Sequence, residues 1–108
     1  MPNSNLPNAD LASADLSFAN LQGSDLFDTN LANANLASTR LNSTTLNGAN
    51  LSGATLDFTT LHSANLTGAN LTGASLQSVL LTAPNLSGTT SDGVVFAGSA
   101  FFIAAFPP

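Results

Sequence analysis

Leucine recurs at every fifth position of this 108-residue chain, from Leu6 to Leu86 without interruption. The position two residues earlier is small, mostly Ala, Ser or Thr, and the position just before each leucine is mostly Asn, Asp or Thr. On an α-helix, leucines at this spacing would lie roughly 140° apart and spread over every face. On a flat strand they would alternate between faces. The pattern therefore predicts a chain that itself turns after each leucine, so that every leucine points into one interior.

A second period gives the number of sides of this coil. Six of the eight glycines fall into two series in which each member lies twenty positions after the last: Gly48, Gly68, Gly88 and Gly53, Gly73, Gly93. Twenty is four times five, which favours four sides per coil over three. A chain of this length then makes about five coils, and at ~4.8 Å per coil the rod is about 25 Å long.

Leucines that are twenty positions apart are predicted to stack into ladders that fill a narrow, dry core. One such ladder consists of Leu6, Leu26, Leu46, Leu66 and Leu86. Two sides end in Gly, Asn, Asp or Ser, which tolerate a positive φ. A third side ends in Phe18, Ser38, Phe58 and Ser78. Because a positive φ is strained for phenylalanine, we expect a different kind of turn on that side.

These repeats, with the consensus A-(N/D)-L-x-x, resemble the pentapeptide-repeat family over essentially the whole stretch from Asn3 to about Leu86. The resemblance implies an all-β solenoid, a right-handed quadrilateral β-helix. The pattern weakens after Pro84, where Ser91 replaces a leucine and phenylalanine takes the following central positions. We therefore expect residues 1–90 to form the β-helix and residues 91–108 to form a degenerate last coil and hydrophobic C-terminal cap, since terminal repeats are commonly atypical.

The composition argues against several classes of function. Charged residues make up only 6% of the chain, and the net charge is −5. Nucleic-acid binding, which needs clustered Lys and Arg, is not expected. The segment Val94–Phe106 is shorter than the ~20 residues of a membrane-spanning helix, and no membrane association is expected. The first ten residues lack the features of a signal peptide, which tilts the expected location toward the cytoplasm.

No constellation of catalytic or ligand-binding residues emerges from the repeats. The one histidine, His62, is predicted to lie on the surface without an acidic partner. No aspartate lies twenty positions from another, so we predict no stacked carboxylates, no catalytic, metal or cofactor-binding site, and no enzyme. Asp25 and Asp28 share one side and could hold a cation weakly, although simple solvation also explains them.

One surface feature stands out at the C-terminal end. Outward positions of the last coils carry the apolar Leu80, Phe102 and Ile103, and Val95 and Phe106 add apolar area nearby. We call these five residues the C-terminal patch. Two interpretations are compatible with each other. The segment could fold over the open end of the coil as a cap, or the patch could be an interface for self-association or for a protein partner.

The sequence thus favours a non-catalytic structural or protein-interaction rod with an unidentified protein partner, self-associating through its apolar C-terminal end. One alternative comes from the resemblance: some pentapeptide-repeat proteins mimic DNA and bind DNA gyrase, protecting it from quinolones. That role needs dense acidic columns, whereas the outward columns here are mostly Asn, Ser, Thr and Gly. Another alternative is a subunit of filaments that stack end to end through exposed coil edges.

Overall fold

The computed structural model describes residues 2–82, 84–98 and 100–102. Two short strands are regular: β1, Leu80–Thr82, and β2, Ala100–Phe102. They pair in parallel, with Leu80 opposite Ala100 and Thr82 opposite Phe102. Each residue thus pairs with the one twenty positions later, which is the spacing that the glycines indicated.

The same pairing runs through the rest of the described chain as parallel β-bridges at every fifth residue. Four columns of bridges result, each named by its members: Asn5, Asp25, Thr45, Asn65, Asn85; Asp10, Asn30, Asn50, Asn70, Thr90; Asp15, Asn35, Thr55, Ser75, Val95; and Asn20, Arg40, Thr60, Leu80. Four columns, with partners twenty positions apart, mean that each coil has four sides. Each bridge is too short to count as a strand because the chain turns soon after it.

The turns between sides are alike. In most of them the N–H of the residue just before a bridge donates to the carbonyl of the preceding central residue, as from Ala34 to Leu31 at 3.0 Å. The residue that precedes this donor has a positive φ at every described corner, between 52° and 71°. A turn of four residues in which the third alone has a positive φ is a type II turn.

The expectation of a different turn at the third corner is wrong. Phe18 and Phe58 both have φ of 63°, and the serines between and after them have φ of 58° and 55°. The reason is the stack itself: the Phe58 N–H donates to the Gln77 carbonyl of the next coil at 2.9 Å, as the corresponding residue does at other corners. Hydrogen bonds between coils thus impose one turn geometry on all sides, whatever the local preference of the residue.

The interior is filled by the central leucines and the small residues two positions earlier. Leu26, Leu46 and Leu66 are at most 1% exposed, and Leu86 is 4% exposed. Leu6, in the first coil of the described stack, is only partly buried. Buried threonines satisfy their hydroxyls on backbone carbonyls; Thr44 Oγ1, for example, donates to the Leu41 carbonyl at 2.7 Å.

The described chain is a short rod with principal extents of 30 × 22 × 21 Å. The length agrees with a stack of coils spaced by ~4.8 Å. Among the described residues, no helix has the length and apolarity to cross a membrane. Four flat sides and the corners between them make up the long surface of the described rod.

Candidate functional site

The Asn and Asp residues just before each leucine serve as caps of the following turn. Asn30 Oδ1 accepts the Ala32 N–H at 3.1 Å, and Asp25 Oδ1 accepts the Phe27 N–H at 3.1 Å. The same bond recurs after Asp10, Asp15, Asn20, Asn35, Asn50, Asn65, Asn70 and Asn85. An oxygen that accepts the N–H two residues on forms an Asx turn, which stabilises the local backbone. These polar columns are therefore structural, and the bonds run along the chain as well as between coils.

Where the residue before the leucine is not Asn or Asp, a side chain of the preceding coil can take over the capping. Asn42 Oδ1 accepts the His62 N–H at 2.8 Å. Asp57 Oδ1 accepts both the Gln77 N–H at 3.0 Å and the Ser75 hydroxyl at 2.6 Å. Asp57 is thus committed to holding the next coil in place.

The titratable groups do not converge. His62 is exposed, and no group of three His, Cys, Asp or Glu residues comes together within the described residues. Asp15 accepts the Ser17 hydroxyl at 2.7 Å and the Ser17 N–H at 3.1 Å. Both bonds favour the charged carboxylate and lower the pKa of Asp15 below its ordinary value. This shift has a purely local cause and does not indicate a reactive site.

No pocket is found over the part of the chain that the structure describes. The core is a packed column of leucines, and the outer faces are flat. What such faces can do is make contact with another surface.

Of the C-terminal patch, the structure describes the side chains of Leu80 and Val95. They are 41% and 45% exposed. Phe102 is in β2, paired with Thr82, and its side chain is outside the described part, as are Ile103 and Phe106 altogether. Leu80 and Val95 lie on neighbouring sides of the rod, on either side of the corner that contains Ser78 and Gly98.

That corner carries apolar groups that the repeat pattern alone did not single out. We call it the Phe corner; from coil to coil it consists of Phe18, Ser38, Phe58, Ser78 and Gly98. The two phenylalanines are 80% and 64% exposed, the largest exposures among the described large hydrophobic residues. The signal in the sequence was the return of phenylalanine at every second coil of the same corner, and it served above only to predict a different turn.

Comparisons with known proteins agree with this architecture. The family model for pentapeptide repeats matches residues 3–33, 24–57 and 34–73, with 8 copies. Among solved structures, HetL is a pentapeptide repeat protein involved in heterocyst differentiation regulation, from the cyanobacterium Nostoc sp. strain PCC 7120. It is 27% identical, with a TM-score of 0.91 over 99% of this chain and 51% of HetL. The chain therefore spans about half the length of HetL.

A second solved structure resembles the fold at lower identity. A trypsin-treated form of QnrB1, a plasmid-mediated fluoroquinolone resistance protein, is 20% identical, with a TM-score of 0.76, and the match covers 94% of this chain and 64% of QnrB1. At that identity the likeness concerns the fold alone. Curated protein sequences give no match. Because the family model accounts for residues 3–73 and the stacked four-sided coils agree with it, the chain belongs to the pentapeptide-repeat family.

Proposed function

We propose that this chain is a non-catalytic rod, a right-handed four-sided β-helix of about five coils, which acts by contact with other proteins. The supporting observation is that polar side chains of the rod are engaged in holding its own backbone. Carboxylates such as Asp25 and Asp57 accept backbone N–H bonds at turns, and the described surface has flat faces without a pocket. Rigid flat faces of short neutral side chains suit protein contacts rather than turnover of a substrate.

The part of the surface best suited to contact is its apolar C-terminal region. Leu80 and Val95 are exposed large hydrophobic residues in columns that carry Asn, Asp, Ser, Thr or Arg in the preceding coils. Exposed apolar groups that cluster on a polar surface are typical of interaction sites. We propose that residues 91–108 complete the last coil as a cap and that the C-terminal patch supports self-association.

DNA mimicry is not part of this proposal, because the acidic groups are few and most of them accept hydrogen bonds from nearby backbone N–H groups: Asp10, Asp15, Asp25 and Asp57. The next residues in the columns above Asp10, Asp15 and Asp25 are Asn30, Asn35 and Thr45, which are uncharged. A surface without stacked carboxylates does not reproduce the regular charge of a nucleic-acid backbone.

Sedimentation velocity tests the self-association. The wild-type protein is expected to show a sedimentation coefficient that rises with concentration up to about 0.5 mM, where even weak contacts are populated. The double variant Leu80→Ser/Val95→Ser should shift this rise to higher concentration, whereas Thr60→Ser, in the same column as Leu80, should leave it unchanged. A constant monomer coefficient for the wild type over the whole range would refute self-association.

A further inference from the structure

The Phe corner places two aromatic side chains in a costly backbone conformation without burying them. Phe18 and Phe58 have φ of 63°, a region that bulky residues avoid. Their rings are 80% and 64% exposed, so the chain gains little of the usual stabilisation from burying an aromatic side chain. The stack imposes this φ at every described corner, and Ser38 and Ser78 adopt it in the same column, so the fold itself does not require phenylalanine at these positions. Both observations indicate that the rings serve a contact outside the rod.

The spacing along this corner is regular. The Phe18 N–H donates to the Ala37 carbonyl just before Ser38, and the Ser38 N–H donates to the Asp57 carbonyl just before Phe58. Corner residues therefore lie directly above one another, ~4.8 Å apart per coil, and the two phenylalanines are about 10 Å apart with a small serine between them. A third ring placed over Ser38 would lie about 5 Å from each, within the roughly 4.5–7 Å that aromatic pairs prefer.

We propose that two copies of this chain pair side by side and antiparallel along the Phe corner, each inserting its rings into the gaps of the other. In this pairing Phe58 lies over Ser38 of the second copy, and Phe18 lies over Ser78 of the second copy. The alternation of large and small residues then matches at all four positions, and one two-fold axis between the coils of Ser38 and Phe58 relates the copies. This proposal rests on the self-association proposed above, and it names the surface and the orientation.

The sequence of the corner decides between a second copy in this orientation and a parallel one. A parallel two-fold pair would set Phe18 against Phe18 and Ser38 against Ser38, so that the rings collide and the gaps stay empty. In the antiparallel pair, Phe18 arrives beside Leu80 of the second copy, which is two residues from Ser78. The exposed Leu80 thus becomes part of the same contact rather than a separate one.

The contact is small, and its size fixes the concentrations at which it forms. Four rings that each bury about 150 Å² contribute about 600 Å². Stable dimers usually bury at least about 1,200 Å² in total. Even with the flanking residues the pair belongs to the weak, transient class, so that dimers are expected at high micromolar rather than nanomolar protein concentration.

Sedimentation equilibrium on single variants tests the pairing. Phe58→Ser and Phe18→Ser should each raise the dimer dissociation constant by roughly tenfold or more, since each truncation removes two rings from the symmetric contact. Serine is a safe replacement, because Ser38 and Ser78 already adopt φ of 58° and 55° at this corner. Phe27→Ser is the matched control: Phe27 is a 44% exposed phenylalanine at another corner, and its removal should change the constant less than twofold.

A fourth variant distinguishes interlocked rings from non-specific hydrophobic association. Ser38→Phe adds apolar surface to the corner but fills the gap that receives Phe58 of the second copy. Interlocked rings predict a weaker dimer, whereas non-specific hydrophobic contact along the corner would give a tighter one. Tighter association would overturn the proposal. If the wild type dimerises and the dimer responds to Leu80→Ser but not to Phe18→Ser or Phe58→Ser, the self-association stands and the pairing along the Phe corner is refuted.

Discussion

Replacing a leucine in the middle of the stack should destabilise this protein far more than replacing one at its end. Leu46 is 0% exposed, with further coils on both sides, whereas Leu6 is only partly buried in the first coil. The pair Leu46→Ala and Leu6→Ala therefore compares the same change in chemistry at the same side of the rod, with burial as the difference.

The loss in free energy of unfolding for Leu46→Ala depends on how little the surrounding backbone can relax. Its N–H donates to the Asn65 carbonyl at 2.7 Å, and the Leu26 N–H donates to the Thr45 carbonyl at 2.7 Å. With the backbone held above and below, the cavity left by the side chain cannot close. Leu→Ala at buried sites costs ~2.7–5 kcal/mol, and we expect the upper half of that range for Leu46. For Leu6 we expect about 1–2 kcal/mol, in proportion to its smaller burial.

Urea unfolding at room temperature, followed by far-ultraviolet circular dichroism, measures both values. The midpoint should fall strongly for Leu46→Ala and slightly for Leu6→Ala, with the slope unchanged. Equal losses for the two variants, or a loss below about 1.5 kcal/mol for Leu46→Ala, would show that the stacked coils do not form a rigid packed core.

Three further predictions concern single interactions. Gly68→Ala should cost about 1 kcal/mol in urea unfolding because φ at this corner is +69°, and Gly68→Asn should cost less because asparagine already occupies the same corner at Asn8. Thr44→Val should lose about 1 kcal/mol in the same assay, since it removes a buried 2.7 Å hydrogen bond to a backbone carbonyl while keeping the shape of the side chain. Ser17→Ala should raise the pKa of Asp15 toward its ordinary value in a carboxyl NMR titration. In the wild type, the lowered pKa of Asp15 stabilises the folded state at pH values above the pKa that Asp15 has in the unfolded chain. This contribution is lost as the pH falls through the pKa of Asp15 in the folded state.

The sequence predicted the parts of the fold that depend on repetition. A leucine at every fifth position can face one interior only if the chain turns after each leucine, and the twenty-residue glycine period then favours four sides. The stacked pairs, such as Asn30 with Asn50, have this spacing. These features are visible in one sequence because the same physical requirement is repeated in every coil.

The features that sequence reasoning missed depend on contacts between coils or on the local path of the backbone. At Phe58 the intrinsic preference against a positive φ was the wrong guide, because the bond to the Gln77 carbonyl fixes the turn. The Asx caps, such as the bond from the Ala32 N–H to Asn30, could have been inferred from the sequence, because Asn or Asp regularly occurs two residues before the N–H that the cap accepts. The Phe corner was missed because judging its exposure requires knowing that all four corners turn in the same way.

Measuring the orientation of the two paired copies by disulfide cross-linking is the most direct test of the claim that this rod acts through its Phe corner. The chain contains no cysteine, so introduced thiols report on one contact at a time. Ser17→Cys mixed with Gln77→Cys under mild oxidation should give a disulfide-linked heterodimer, because the antiparallel pair brings these turn residues together on one flank. Ser17→Cys alone should give no disulfide-linked dimer, since its two copies would be three coils apart, about 14 Å. Efficient cross-linking of Ser17→Cys with itself, or none in the mixture, would contradict the account.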